Sequence, residues 1–230
     1  MTIAVIVYPG TNCEHDIVHA LDLAGADSEL VWHRDTDLAG ADGIVLPGGF
    51  AHGDYLRTGA IARFSPIMEA IAQLAHEGVP TIGVCNGFQI LCEAGLLPGA
   101  FVANRGLKFI CAPTHVRVES IDSVLTRGAY IGQVLRLPLN SYEGNYVADD
   151  INKIESEGDV TLRYCNAGGS IDVSANPNGS TNSIAAVAST SRNVVGIMPH
   201  PERACEEILG SSDGMVLLEG FIASTEMPLS

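Results

Sequence analysis

Short β-branched runs recur along the chain: IAVIVY (3–8), GIVLPGG (43–49), PTIGVC (80–85), SIAAVAS (183–189) and VVGIMP (194–199). Each is shorter than an ordinary helix and apolar at consecutive positions, the pattern of a strand covered on both faces. Between the early runs the period becomes helical. Residues 12–24 put Ile17, Leu21 and Ala24 on one face and stop at Gly25. Ser65-Pro66 reads as a cap and first position for a helix carrying Ile67, Ile71, Leu74 and Ala75 and ending at Gly78. This βαβα order, joined by right-handed crossovers, predicts an α/β fold on a doubly wound, mostly parallel sheet.

From about 107 to 147 the text changes to LKFICAPTHVRVES, a DSVLTRGAY turn region and GQVLRLPLNSYEGNYVAD, longer strands with little helix between them. We read an antiparallel addition to the same unit, so that residues 1–230 form one domain. Residues 166–182, NAGGSIDVSANPNGSTN, are rich in Gly, Asn, Ser and Pro and form a loop rather than a linker. Hydrophobic residues make up 47% of the 230, enough for a sizeable core. No apolar run approaches the roughly 20 residues of a membrane span, and MTIAVIVYPG lacks the basic start and cleavage site of a secretory signal. A soluble, cytoplasmic protein is expected. The formal charge of −15 argues against nucleic acid and anionic membrane as partners. Six cysteines are scattered without a CxxC pair or a zinc-like Cys/His spacing, so no disulfide framework and no metal site is expected.

Ligands on an open α/β sheet gather at the carboxyl ends of the strands, where three stretches fall: PGGF (47–50), Cys85 and MPHPER (198–203). Cys85 lies between Gly83 and Gly87, small residues that permit a tight strand-to-helix turn presenting a nucleophile. The unpaired N–H groups at a helix start favour negative charge there. A lone cysteine is more often simply buried. His200 and Glu202, two apart between Pro199 and Pro201, would share one side of an extended segment, the spelling of a base with its orienter. Taken alone that spelling also suits an ordinary turn. Gly48, Gly49 and Phe50 follow an apolar strand, and paired glycines let backbone N–H groups face a pocket as oxyanion donors. The N–H of Asn86 would join those of Gly49 and Phe50. No phosphate-loop spelling follows.

Together these residues resemble the class I (triad) glutamine amidotransferases, whose pattern is G-x-C-x-G-x-Q and a later H-x-E: here Gly83, Cys85, Gly87 and Gln89, then His200 and Glu202. GTNCEHD, LPGGFAHGDYLRTGAIARFSPIM, GVCNGFQILCEAGLLPGA and MPHPER further resemble the glutaminase-subunit family of phosphoribosylformylglycinamidine synthase, an enzyme of purine biosynthesis, from about residue 3 to 222. The resemblance implies a flavodoxin-like fold with no cofactor of its own. It implies that Cys85 attacks the side-chain amide of glutamine, that His200 protonates the leaving ammonia, and that Glu202 orients His200. A γ-glutamyl thioester forms and water hydrolyses it. Ammonia passes to a large synthetase subunit that uses ATP and Mg, accompanied by a small third subunit. Asn86 would serve through its backbone, Gln89 as a wall of the glutamine pocket, and Cys92 as packing. Where many relatives read roughly P-I-A-H-G-E-G, this chain has PLNSYEG, with Ser141 at the His position; no catalytic role is assigned to residues 138–146.

Two other readings stand beside this one. The peptidase-like and stress-protein group uses a similar elbow, but places its His immediately after the Cys, where this chain has Asn86. A flavodoxin-like binding module with vestigial catalytic residues is the other, against which the intact Cys85, His200 and Glu202 argue.

Overall fold

A computed structural model describes residues 1–38 and 40–227. The strands are β1 (Thr2–Val7), β2 (Asp27–Trp32), β3 (Gly43–Leu46), β4 (Thr81–Val84), β5 (Ala100–Val102), β6 (Ile110–Val118), β7 (Val134–Ser141), β8 (Asn145–Val147), β9 (Val160–Cys165), β10 (Ile184–Ala188) and β11 (Val194–Ile197). The helices are α1 (Glu14–Leu23), α2 (Ile67–His76), α3 (Asn86–Glu93), α4 (Ile151–Ser156) and α5 (Met215–Glu226). Nine strands form one sheet in the order β2-β1-β3-β4-β11-β10-β9-β6-β7, and β5 pairs with β8 apart from it.

The first five strands of that order are mutually parallel. Their sequences explain why: β3, β4 and β11 are buried at every position, as strands covered on both faces must be. The antiparallel half, β10-β9-β6-β7, continues the same sheet beyond β11, as the change of pattern after residue 107 predicts. In β7 the burial alternates, because this edge strand has one face on the core and one toward solvent. Five elements escaped the sequence reading: β2, β5, β9, α4 and α5. The predicted capping role of Ser65 is also corrected. Its hydroxyl meets His33 Nδ1 at 3.0 Å and makes no cap bond, while Pro66 occupies the cap of α2.

What positions the site is the adjacency of β3, β4 and β11 in the sheet. All three run the same way, so PGGF, Cys85 and MPHPER emerge side by side at one edge. Gly196 on β11 makes the floor for the elbow helix: a Cβ there would lie 1.9 Å from Phe88 Cδ2. Phe88 in turn packs edge-on against Phe101 at 4.7 Å and stacks on Tyr146 at 5.8 Å, tying α3 to the small β5-β8 sheet. No helix among the described residues is long and apolar enough to cross a membrane.

Candidate active site

Cys85 is held at φ 50°, ψ −103°, a strained conformation for a residue with a Cβ. The strain is imposed from both sides. A Cβ on Gly87 would sit 1.9 Å from the Leu46 carbonyl oxygen, and one on Gly83 would sit 2.6 Å from Gly87, so α3 packs directly on the ends of β3 and β4. Cys85 itself is 6% exposed, its N–H donates to Ile197 O, and its Sγ lies 3.5 Å from Asn140 O.

His200 and Glu202 meet as their spacing predicts. Nδ1 lies 2.6 Å from Glu202 Oε1, and both side chains are fully inside the protein. An imidazole nitrogen facing a carboxylate carries a proton, which leaves Nε2 as the nitrogen that can exchange one with the cavity. Nε2 is buried and has no hydrogen-bond partner among the described residues. The His200 N–H donates to Pro138 O at 2.8 Å, fixing the segment against β7. Burial alone would lower the His200 pKa; the Glu202 carboxylate, with the Cys85 and Cys13 thiols behind it, holds it well above the usual histidine range.

Gly48 marks where these groups converge. A Cβ there would be 2.8 Å from His200 Cε1, 3.1 Å from Cys13 Sγ and 3.5 Å from Cys85 Cβ. The predicted backbone donors fare unequally. Asn86 opens α3, so its N–H has no intrahelical acceptor. Phe50 is corrected: its N–H donates to Gly10 O at 2.9 Å, because the turn after β3 bridges back to Thr11, and it is therefore engaged rather than free. Gly49 stands at φ 147° against Gly10, Thr11 and Asn12, where any side chain would collide with backbone.

The side chain of Asn86 does more than its backbone role implied. Its Oδ1 accepts from Ala51 N–H at 2.9 Å, and its Nδ2 donates to Gln89 Oε1 at 2.9 Å and Asp54 Oδ1 at 3.3 Å. Gln89 Nε2 donates to Glu143 O at 2.7 Å. Gln89 thus lines the cavity as expected, with its amide also holding the β7-β8 turn. Cys92 fits the packing reading, half-buried with its thiol pushed up by burial and directed at Pro98 O.

A cavity of about 360 Å³ joins these parts, lined among others by Cys85, Gln89, His200, Asp54, Glu143 and Arg203. Asn140, Ser141, Tyr142 and Glu143 lie in this wall, so the segment left without a role belongs to the pocket. Sequence reasoning missed Cys13, Asp54, Thr58, Glu143 and Arg203. The available signal was weak: Asp54 sits in GDYLR and Arg203 directly after the H-x-E, but nothing in the spelling says they share a cavity. A larger groove of about 1030 Å³ lies where the parallel strands begin, lined by Gly78, Leu97, Ile154 and Asn193 among others; Cys85, His200 and Glu202 are not in its wall.

Comparison with known proteins decides what kind of enzyme carries this geometry. Residues 1–213 match the CobB/CobQ-like glutamine amidotransferase domain. Phosphoribosylformylglycinamidine synthase subunit PurQ of Rubrobacter xylanophilus is 50% identical over 229 residues, covering 99% of this chain and 100% of that protein. The chain belongs to the PurQ family of glutamine amidotransferases. The Koribacter versatilis PurQ is 48% identical over 227 residues, covering 97% of this chain and 98% of the relative. A chain in the structure of PurLQS from Thermotoga maritima superposes with a TM-score of 0.87 at 40% identity, covering 96% of this chain and 97% of that one. Membership of the PurQ family makes the molecule an enzyme with glutaminase activity, and it accounts for the mostly parallel sheet with its antiparallel continuation.

Proposed function

We propose that Cys85, His200 and Glu202 form the catalytic triad of a glutaminase subunit of phosphoribosylformylglycinamidine synthase. The observation that carries the reading is the meeting, in one cavity, of a thiol on a strained elbow with the unpartnered Nε2 of a carboxylate-oriented histidine.

Cys85 Sγ gives its proton to His200 Nε2 and attacks the side-chain carbonyl carbon of glutamine, whose oxygen becomes the oxyanion. The N–H groups of Asn86 and Gly49 are the donors available to it in this conformation. The imidazolium, stabilised through Nδ1 by Glu202, returns the proton to the nitrogen as the C–N bond breaks, releasing ammonia and leaving a γ-glutamyl thioester. Water, deprotonated by the same Nε2, then attacks the thioester carbonyl, and glutamate leaves as Sγ recovers its proton. Every proton taken is given back.

Residues 1–230 act as one amidotransferase domain in this reading, which the continuous sheet supports. The chain itself uses no cofactor. ATP and Mg serve the large synthetase subunit that consumes the ammonia, and a small third subunit completes the complex. The name of the Thermotoga maritima assembly, PurLQS, supports that set of partners. The complex works in the cytoplasm.

Cys85→Ala tests the assignment. In the complex reconstituted with its synthetase, the variant loses glutamine-dependent synthesis and keeps ammonia-dependent synthesis. Loss of both activities would show that Cys85 holds the structure together instead. A glutamine-mimicking electrophile should label Cys85, with glutamine protecting it.

A further inference from the structure

Outside the cavity, three side chains of metal-binding type converge. His19 stands on α1, and Cys205 and Glu206 follow the Pro201–Arg203 turn that carries Glu202. A ring nitrogen of His19, Sγ of Cys205 and a carboxylate oxygen of Glu206 all lie within 4.8 Å of one another. His19 Nε2 is 2.8 Å from Glu206 Oε2. Cys205 is buried in a small apolar cluster with Ala20 and Leu218, and its Sγ donates to Glu202 O at 3.2 Å. None of the three residues lines the cavity that holds Cys85. The cluster joins the two ends of the chain, so no short Cys/His spacing announces it in the sequence.

Imidazole, thiolate and carboxylate together suit zinc, which takes three protein ligands with water in the fourth place. Bonds of about 2.0–2.3 Å to one zinc ion put its ligand atoms about 3.3–3.8 Å apart. The His19–Glu206 pair has only to open by roughly half an ångström around an ion of that size. Both are surface side chains, 54% and 37% exposed, and can turn to do so, while Cys205 is the fixed member. The charge agrees as well. One thiolate and one carboxylate offset a divalent ion, and the Glu202 and Asp16 carboxylates also act on the Cys205 sulfur. Cys13, His200 and Glu202 meet the same distance condition but not the same chemistry. There His200 Nδ1 is bonded to Glu202 at 2.6 Å, and Arg203 Nη2 donates to Cys13 Sγ at 3.2 Å, which sets a cation beside the thiol already.

We infer that His19, Cys205 and Glu206 bind one Zn²⁺ ion, with its fourth position open to solvent, and that the ion clips α1 to the turn after Glu202. On binding, Cys205 gives its thiol proton to water and bonds zinc as the thiolate. His19 Nε2 gives up the proton it shares with Glu206, the ring keeping one on Nδ1. Sγ then no longer donates to Glu202 O, so the backbone of the residue that holds His200 feels whether the site is filled. The ion is structural and takes no part in bond breaking.

The test titrates the full chain, stripped with a chelator, with Zn²⁺ against a chromophoric competitor. One ion should bind per chain with a Kd below about 10 µM. His19→Ala and, separately, Cys205→Ala should each weaken binding by roughly 100-fold or more. Co²⁺ in place of zinc should give the wild type a thiolate-to-metal charge-transfer band that is lost in Cys205→Ala and kept in Cys13→Ser. Zn²⁺ at about 100 times Kd should raise the melting temperature of the wild type and leave that of His19→Ala nearly unmoved. Binding weaker than about 10 µM, or a cobalt band that survives Cys205→Ala and disappears in Cys13→Ser, would overturn the inference. If Cys205→Ala fails to fold, His19→Ala, a change at the surface, decides alone, and full affinity in it would equally overturn the site.

Discussion

At the residue scale, the buried pair of His200 and Glu202 carries a defined pH signature. The Glu202 carboxylate at 2.6 Å is what holds the His200 pKa up against burial, so Glu202→Gln should lower it, a change readable from the ring-proton resonances of His200. The sign for stability follows from linkage. A histidine whose folded pKa is raised stabilises the fold fully below its unfolded value near 6.5, and that contribution is lost as pH rises through the folded value. The difference in melting temperature between wild type and Glu202→Gln should therefore be largest below about pH 6.5 and shrink toward alkaline pH. Glutaminase turnover should fall by a factor on the order of 10² to 10⁴, since the amide no longer enforces the Nδ1–H tautomer. An unchanged ring titration would remove Glu202 from the triad. The elbow at Cys85 and the contact of His200 with Glu202 were legible in the sequence because each is written in its neighbours: flanking glycines for one, a two-residue spacing between prolines for the other. That Asp54 and Glu143 share one cavity wall was not legible, because two distant turns become neighbours only after the sheet has brought them together.

At the element scale, the buried parallel strands were legible for the same reason that they are stable, since continuous β-branched runs leave no other way to hide both faces. The edge strand β2 was missed because DSELVW is half exposed and breaks the apolar run. Helix α5 was missed because MVLLEGFIASTE is apolar nearly all round and has no side-chain cap to mark its start. The contact that the elements depend on most at the site is that of β11 with α3. Gly196 lies on a strand hydrogen-bonded on both sides, to β4 and β10, so the backbone cannot yield, and Phe88 is caught between it and the Phe101 and Tyr146 rings. Gly196→Ala should cost about 1–3 kcal/mol, or more, as overpacking does in a filled core. Because Phe88 belongs to the elbow helix, the same change should also slow glutamine hydrolysis. Thermal unfolding measures the first effect, with Gly106→Ala as the neutral control, since a Cβ at Gly106 meets nothing within 4 Å. A Gly196→Ala protein as stable and active as Gly106→Ala would mean that the helix has room to shift.

At the scale of the whole molecule, the site opens onto a surface unlike the rest of an acidic protein. Phe50, Phe109 and Tyr142 line the cavity and remain exposed, and Tyr55 and Leu56 stand out to solvent on the turn that carries Asp54. That turn is held under tension: His52, Asp54 and Leu56 all adopt positive φ without being glycine. Apolar side chains around a catalytic mouth mark a surface meant to be covered, and strain beside it is a conformation that a partner's contacts can alter. The backbone donors proposed for an oxyanion at that turn have a kinetic consequence. With the Phe50 N–H committed to Gly10 O, the isolated chain offers fewer donors than the turn contains, and each missing donor costs about 10²–10³ in turnover in enzymes that stabilise an oxyanion this way. Glutamine hydrolysis by the chain alone should thus be slower by at least about tenfold than hydrolysis in the presence of its synthetase, a difference read directly as glutamate released per unit time. Equal rates would mean that the resting conformation is already the active one, and that the exposed aromatic rim has nothing to do with turning the reaction on. A faster rate in the complex that persists without ATP would assign the activation to docking itself, since only the covered surface would then distinguish the two states.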